Sequence, residues 1–214
     1  MRSPMKLTQP LRVLGVAAHP DDLELGCGGT LLKMYRAGHE IHVIIMSFGE
    51  AAGEAATRRK EQELAATFYG AKKVYWMGHE DTRVKVDRGA IDAVDEVLRE
   101  VRPDIVFVHH GEDTHQDHRS TSTLVVSATR YTQNVLFYET STTAGFSPEV
   151  FVDITGFVED KCRLLRTHKS QWKTLRVGDL TVVDCARSMA LFRGVQGRVK
   201  AAEGFVPLRL LLHV

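Results

Sequence analysis

The chain has 214 residues, which is enough for one α/β domain with a full hydrophobic core but too few for two such domains. Hydrophobic residues make up 43% and charged residues 26%, as in ordinary globular proteins, and the formal net charge is +1. This balance gives no reason to expect a nucleic-acid or membrane partner, and no apolar run approaches the ~20 residues of a membrane span.

The N-terminus and the cysteines bear on location. Residues 1–10 lack the apolar core of a signal peptide, and we expect them to form a flexible segment. The three cysteines form no Cys-x-x-Cys pair and cannot all pair with one another, which favours a reduced, cytoplasmic setting. The sequence leaves open whether the chain forms a homo-oligomer.

Short β-branched runs alternate with longer segments of helical spacing over the first two thirds of the chain. This alternation predicts βαβ units and a largely parallel sheet. Ile91, Val94, Leu98 and Val101, for example, recur at the spacing of one buried helix face. Strands are expected at 11–18, 41–46, 73–77 and 104–108, and helices at 28–37, 56–69 and from Gly89 to Pro103.

The last third of the chain is less regular. Helices are expected there at 120–131, 155–167 and 179–192, and strands at 134–138, 149–154 and 205–212. No internal repeat, low-complexity tract or linker divides the sequence. It therefore predicts a single α/β domain over residues 1–214, with a mostly parallel sheet flanked by helices.

Two polar loops follow predicted strands. His19-Pro20-Asp21-Asp22 comes directly after the first strand, and a loop that contains His115 and His118 follows the fourth. Ligands bind at the carboxyl ends of the strands in open α/β sheets because the loops converge there. The two loops together predict a metal site.

The residue types fit a catalytic zinc, which usually has three protein ligands and one open position. His19 and Asp22 are three residues apart, a spacing that turns both side chains to one side of a first helical turn. His115 and His118 share this spacing. The residues alone do not decide which of these two histidines is the third ligand.

Asp21 and Asp117 stand next to the ligand candidates, where a carboxylate can reach a bound water or the outer nitrogen of a ligating imidazole. Each motif has an ordinary alternative. A His-x-x-His pair often marks a solvated helix face, and an Asp-Asp pair after a strand often caps a helix. Two such clusters at strand ends on the same side of one sheet favour a site over these alternatives.

At these residues the chain resembles the LmbE-like (PIG-L) family of zinc-dependent N-deacetylases. The family carries an Ala-His-Pro-Asp-Asp segment followed by Gly-Gly-Thr, and a later His-x-Asp-His. Here these motifs are residues 18–22, 28–30 and 115–118, and weaker matches extend over nearly the whole chain. The resemblance implies a Rossmann-like α/β domain that removes acetyl groups from N-acetylated sugars.

The resemblance also implies a role for each motif residue. Asp21 would be the general base, and a charged His115, held by Asp117, would stabilise the oxyanion. The ion would be Zn²⁺, with Fe²⁺ or another divalent metal as alternatives, because N/O sites select weakly among these ions. The implied metal ligands are His19, Asp22 and His118.

Four further residues are candidates for substrate binding: Glu50, Arg58, Asp81 and His168. The first three fall in or near loops that line the sugar pocket in the family. Ordinary surface positions are the alternative for all four, and His168 would then lie at an exposed helix end. For His109 and His110, at the end of a strand, we expect a role in packing.

The sequence thus predicts a hydrolase whose partner is a small N-acylated amino sugar or glycoside. One alternative is a deacylase of a non-sugar or secondary-metabolite amide. Another is a binding module that keeps the metal but has no activity.

Overall fold

The computed structural model describes residues 9–173, 175 and 177–211. The flexible segment expected at 1–10 falls mostly on residues 1–8, which lie outside the described residues. The strands are β1 Arg12–Ala17, β2 Glu40–Ser47, β3 Ala71–His79, β4 Ile105–His109, β5 Val135–Tyr138, β6 Val150–Asp153 and β7 Ala202–Arg209. The α-helices are α1 Asp22–Arg36, α2 Ala55–Phe68, α3 Arg88–Val101, α4 Gln116–Ala128, α5 Val158–Leu165 and α6 Val182–Gly197.

The strands form one sheet with the order β3-β2-β1-β4-β5-β7-β6. β1 pairs in parallel with β2 and β4, β2 with β3, and β4 with β5. β7 runs antiparallel to both β5 and β6. The predicted α/β domain with a mostly parallel sheet is confirmed, and β7 is the strand that runs against the others.

The strand order reverses at β1, because the chain proceeds to β2 on one side and later to β4 on the other. A crevice opens at such a reversal, between the loops that leave the carboxyl ends of the two strands. The polar loops after β1 and β4 therefore face each other.

Helices cover both faces of the sheet, so β1 is buried on both sides. Val13 and Ala17 belong to a core that includes residues of α1 and α2. Leu14 and Val16 belong to a second core with residues of α3 and α4. These two packed layers fix the relative positions of the loops after β1 and β4. None of the helices in the described part of the chain is long and apolar enough to cross a membrane.

Helix α1 begins at Asp22, whereas its glycine-rich sequence predicted a start at Gly28. The glycines permit close packing of this segment. A Cβ atom added at Gly26 would lie 2.2 Å from Cδ2 of Tyr138, which is nearer than any van der Waals contact. The N-terminal part of the helix can therefore pack directly against β5 at Gly26, while its first residue, Asp22, lies in the motif after β1.

Helix α1 is interrupted at Cys27, where the backbone has φ −139° and ψ 17°. The N–H groups of Gly29 and Thr30 donate to the carboxylate of Glu203 at 2.9 and 2.6 Å. Lys161 Nζ lies 2.5 Å from the same carboxylate. A residue of β7 thus caps the second half of the helix, a tertiary contact that local sequence does not reveal.

Candidate metal centre

The loops after β1 and β4 line a crevice at the carboxyl edge of the sheet. The crevice has a volume of about 360 Å³, and its lining includes His19, Asp21, Asp22, His115 and His118. His19 follows β1, Asp22 opens α1 and His118 lies in the first turn of α4. The fold therefore brings the two sequence motifs together.

Asp22 lies between the two imidazoles predicted to bind the metal. Its Oδ2 is 3.3 Å from His19 Nδ1, and its Oδ1 is 3.3 Å from His118 Nε2. The backbone N–H of His19 donates to Oδ2 at 2.8 Å and fixes the carboxylate. Burial would raise the pKa of Asp22, but His118 and His109 hold it well below its usual range. The carboxyl group is therefore ionised, as a metal ligand must be.

The outer nitrogens of both imidazoles face further carboxylates. His19 Nε2 is 3.0 Å from Asp81 Oδ1 and 3.1 Å from Asp117 Oδ2. His118 Nδ1 is 3.2 Å from Asp113 Oδ2. Burial lowers the pKa of each imidazole, but the carboxylates outweigh it, raising the pKa of His19 well above its ordinary value and that of His118 to about 9. Such partners orient a ligating imidazole and increase its basicity.

Asp117 has a different partner from the one expected. Its carboxylate contacts His19 and accepts hydrogen bonds from the N–H groups of Thr82 at 2.7 Å and Val84 at 3.1 Å. Its contact with His115 is made by the backbone, since the Asp117 N–H donates to His115 Nδ1 at 3.3 Å. The expectation that the Asp117 side chain holds His115 is wrong, because residues two apart at a helix start do not face each other.

The charges at this site fit a cation. Four buried carboxylates, called here the carboxylate cluster, surround His19 and His118: Asp22, Asp81, Asp113 and Asp117. Within the described ranges, their ion-pair partners are histidines, with no lysine or arginine among them. Buried negative charge is costly unless it is paired, and imidazole and carboxylate are common ligands of zinc. The residues present therefore fit a divalent metal ion.

More than one set of donors lies close enough to hold an ion. In the described part of the chain, three sets have donor atoms within 4.8 Å of one another: His19, His115 and His118; Asp22, His109 and His118; and His19, Asp81 and Asp117. The predicted trio of His19, Asp22 and His118 overlaps all three sets and coincides with none. The outer nitrogen of His19 is occupied by Asp81 and Asp117, so its Nδ1, beside Asp22, is the atom available to a metal.

Asp21 stands beside the ligand candidates but has other partners. Its φ of 91° lies in the left-handed region, which is rare for residues other than glycine. Its N–H donates to Gln62 Oε1 at 3.2 Å, and its Oδ2 accepts from Arg58 Nη2 at 3.2 Å. Burial raises the pKa of Asp21 to about 6, against the opposing effect of Arg58. A carboxyl group with such a pKa can both accept and return a proton.

Arg58 lines the crevice, but most of its guanidinium contacts are with the backbone. Nη1 donates to the carbonyl of Gly49 at 2.8 Å, and Nη2 donates to that of Pro20 at 2.7 Å. The residue is 4% exposed, so it is not the surface arginine of the alternative interpretation. It joins the loops after β1 and β2 and fixes the backbone at Asp21.

The other candidates for substrate binding lie in different places. Asp81 lines the crevice and accepts from the N–H of Ala51 at 2.9 Å. Glu50 is exposed and accepts from the N–H of Asp81 at 2.8 Å. His168 is 1% exposed, and its Nε2 is 3.4 Å from Oε2 of the buried Glu24. The surface position considered for His168 is therefore wrong, and neither His168 nor Glu50 is among the described residues that line the crevice.

His115 is half-buried against the other imidazoles. Its ring stacks on His118 with centroids 4.6 Å apart and meets His19 edge-on at 4.8 Å. Burial and the nearby charge of His118 lower the pKa of His115. A lowered pKa favours the neutral imidazole, in contrast to the charged form expected, and with Nδ1 accepting from the Asp117 N–H its Nε2 carries the proton that it can donate.

Three residues of the site were not identified as such from the sequence: His109, Asp113 and Gln62. His109 is fully buried, stacks on His118 at 4.0 Å and accepts from the N–H of Ala18 at 3.1 Å. Its place at a strand end was the available signal, as was the position of Asp113 in the polar loop after β4. Gln62 reaches Asp21 from α2, and no local pattern marks it.

Known proteins resemble this chain over nearly its whole length. Residues 14–129 match the family described as PIG-L: GlcNAc-PI de-N-acetylase. A diacetylchitobiose deacetylase of Thermococcus kodakarensis is 30% identical over 98% of this chain and 89% of that protein. The crystal structure of the conserved protein TT1542 from Thermus thermophilus is 28% identical, with a TM-score of 0.84 over 95% of this chain and 97% of that one.

One relative is named for a reaction other than deacetylation. A 4-oxalmesaconate hydratase of Pseudomonas putida is 29% identical over 55% of this chain and 51% of that protein. The deacetylase match covers far more of the chain and supports an N-deacetylase enzyme. By the family match and by its similarity to the diacetylchitobiose deacetylase, the chain belongs to the PIG-L family.

Proposed function

We propose that this protein is a metal-dependent hydrolase that removes an acetyl or other acyl group from the amide nitrogen of an amino sugar or glycoside. The observation that carries the proposal is Asp21, a carboxyl group with a pKa raised to about 6, braced by Arg58 beside the carboxylate cluster. Membership of the PIG-L family and the diacetylchitobiose deacetylase relative support the substrate class.

The residues that would hold the ion are His19, Asp22 and His118. When bound, a divalent metal supplies a Lewis acid that polarises the amide carbonyl and lowers the pKa of water. Asp21 takes a proton from the attacking water and returns it to the amine as the C–N bond breaks. Gln62 and Arg58 hold its backbone and carboxylate, so that the group faces the crevice.

His115 stabilises the negative charge that develops on the carbonyl oxygen. Because its pKa is lowered, it acts as a neutral N–H donor. One such donor contributes about 2.7–4 kcal/mol in other enzymes. Arg58 and Asp81 line the crevice, which supports their predicted role in binding the sugar. Glu50 acts through the backbone of Asp81, and His168 acts through Glu24.

We propose zinc as the ion, since two imidazoles and one carboxylate form a common catalytic zinc set, with Fe²⁺ as the alternative. A cytoplasmic location agrees with the three free cysteines, of which Cys27 and Cys162 are buried. Neither point depends on the identity of the sugar.

Three other functions are distinguishable from this one. A non-sugar amide substrate would keep the chemistry and change only the crevice contacts. A binding module would hold a metal without turnover. The hydratase relative makes a hydration reaction the third candidate, and such an enzyme would release no acetate.

The test is the exchange Asp21→Asn in metal-loaded protein, with N,N′-diacetylchitobiose as the substrate. We expect unchanged metal content and a loss of acetate release of about 10²- to 10⁴-fold, the usual contribution of a general base. Asp95→Asn on the exposed face of α3 is the matched control and should keep full activity. The proposal fails if the wild-type protein releases no acetate from N-acetylated sugars with any divalent metal.

A further inference from the structure

A second cavity, of about 690 Å³, adjoins the metal-site crevice. It lies between the loop after β5, the segment before α6 and α6 itself. We call this cavity the acyl groove. Its apolar lining is Leu175, Val177, Leu180, Cys185 and Met189.

The acyl groove and the crevice share one wall, formed by residues 140–142 and Leu175. This wall reaches the site directly. Thr142 Oγ1 is 3.4 Å from His118 Nδ1, and Thr140 Oγ1 is 3.2 Å from Asp113 Oδ2. A molecule bound at the metal centre can therefore extend into the groove without leaving the protein surface.

The chemistry of the groove differs from that of the crevice. The one charged side chain among its described lining residues is Glu139, which is already paired with Arg193 through contacts of 2.6 Å. Val177 and Leu180 are 58% and 52% exposed at the rim. Exposed apolar side chains beside a polar site indicate a ligand with an apolar part.

The position of Asp21 decides which part of the substrate enters the groove. Asp21 lines the crevice and is not among the residues that line the groove. To return a proton to the leaving amine, this carboxylate must lie within hydrogen-bond reach of the nitrogen. With the nitrogen held there, the acyl chain is attached one bond farther from Asp21, through the carbonyl carbon, and the wall of residues 140–142 is the side on which the crevice adjoins the groove.

We propose that the groove binds the alkyl chain of the acyl group, so that the enzyme prefers amides of medium-length fatty acids to acetamides. This inference rests on the proposed hydrolase function and adds the acyl specificity. In the reaction, water adds oxygen to the carbonyl carbon, the C–N bond breaks, and a fatty acid and a free amine are released.

The test is a series of glucosamine amides with acetyl, butanoyl, hexanoyl and octanoyl groups. Each methylene buried in the groove should raise kcat/KM about twofold to fourfold. We therefore expect hexanoyl-glucosamine to be hydrolysed at least tenfold faster than acetyl-glucosamine at low substrate concentration. The double variant Val177→Ser/Leu180→Ser should reduce this ratio about tenfold, and it should fold because both positions are exposed.

Leu191→Ser is the matched control, since Leu191 is 44% exposed on α6 and does not line the groove. It should leave the chain-length ratio unchanged. Octyl 2-acetamido-2-deoxyglucoside tests the opposite orientation, and faster hydrolysis of this substrate than of the long-chain amides overturns the acyl assignment.

Two further outcomes are distinguishable. Hydrolysis of acetamides alone overturns the groove inference and keeps the proposed function, whereas no hydrolysis of any amide refutes the proposed function itself. If the double variant changes the molecular mass measured by sedimentation and leaves the chain-length ratio of kcat/KM unchanged, the groove is instead covered by a second copy of this chain.

Discussion

Helix α1 meets a buried carboxylate at two places. Asp22 stands at its first turn, and Glu203 accepts from Gly29 and Thr30 where the helix resumes after Cys27. Asp22 is 7% exposed and Glu203 3% exposed. Both carboxylates lie near backbone N–H groups at the positive end of a helical segment, which favours an anion. The two carboxylates are therefore alike in burial and in their position at the start of a helical segment.

The two sites differ in how their charge is balanced. Glu203 has a lysine partner, Lys161, at 2.5 Å, so that the protein neutralises this carboxylate by itself. Asp22 is paired with imidazoles whose other nitrogens contact more carboxylates. The first site is complete, whereas the second retains excess negative charge. This difference separates a structural ion pair from a site whose charge fits a cation.

Asp22→Asn tests whether the Asp22 site binds the metal ion. The amide removes the charge that joins His19 and His118, and we expect loss of bound metal and a fall in acetate release of at least about 10³-fold, by analogy with the removal of catalytic residues elsewhere. Metal analysis of the purified variant and acetate release from diacetylchitobiose measure both effects. A variant that keeps its metal would contradict the assignment of Asp22 as a ligand. Asp95→Asn again serves as the control.

Glu203→Gln tests whether the Glu203–Lys161 ion pair stabilises the fold. Lys161 is 2% exposed and would be left as an unpaired buried charge, which typically costs about 3–5 kcal/mol of unfolding free energy. Urea denaturation measures this loss. Activity per folded molecule should persist, because Glu203 does not line the crevice. The double variant Glu203→Gln/Lys161→Met should recover part of the stability, and additive losses would argue against a direct ion pair.

The approach of the two motifs was predictable from sequence because it depends on strand ends. Once 11–18 and 104–108 are predicted to be parallel strands, His19 and His118 must lie at the same edge of the sheet. The first segment of α1 was not predicted: a helix was expected from Gly28, where α1 resumes after Cys27, and not from Asp22. Glycines 26, 28 and 29 lower helix propensity, and the carboxylate that caps the restart comes from β7, far away in sequence.

The partners of individual side chains were also beyond the sequence. The resemblance to the family implied that the Asp117 carboxylate holds His115, but helix geometry directs it to His19 instead. Gln62 and Asp113 are ordinary polar residues in the sequence. Tertiary packing places Gln62 at Asp21 and Asp113 at His118. Spacing identifies which residues gather, whereas the contacts within the cluster depend on the complete fold.

Removal of the metal ion tests the difference between the two sites in the unmutated protein. If the carboxylate cluster binds the ion only in the folded state, a metal concentration 100 times the Kd stabilises the protein by about 2.7 kcal/mol. Urea denaturation after chelation and after addition of zinc measures the difference. Asp22→Asn should show no such gain. Glu203→Gln should show the full gain, because its defect lies at the second half of α1, after the interruption at Cys27. Equal stability with and without metal would contradict the charge argument.

Asp117→Asn tests the outermost contact of the site and has the smallest expected effect. The Thr82 N–H donates to Oδ2 and the Val84 N–H to Oδ1, so the single amide oxygen can keep one of these two hydrogen bonds and the loop after β3 is still held at one point. The lost charge beside His19 Nε2 should weaken metal binding about 10- to 100-fold, the usual effect of removing a carboxylate partner of a ligating imidazole. Competition with a zinc chelator measures the affinity. Asp113→Asn should act similarly through His118. If neither variant changes metal affinity, these carboxylates serve only to fix the loops, and the excess charge of the cluster is not what retains the ion.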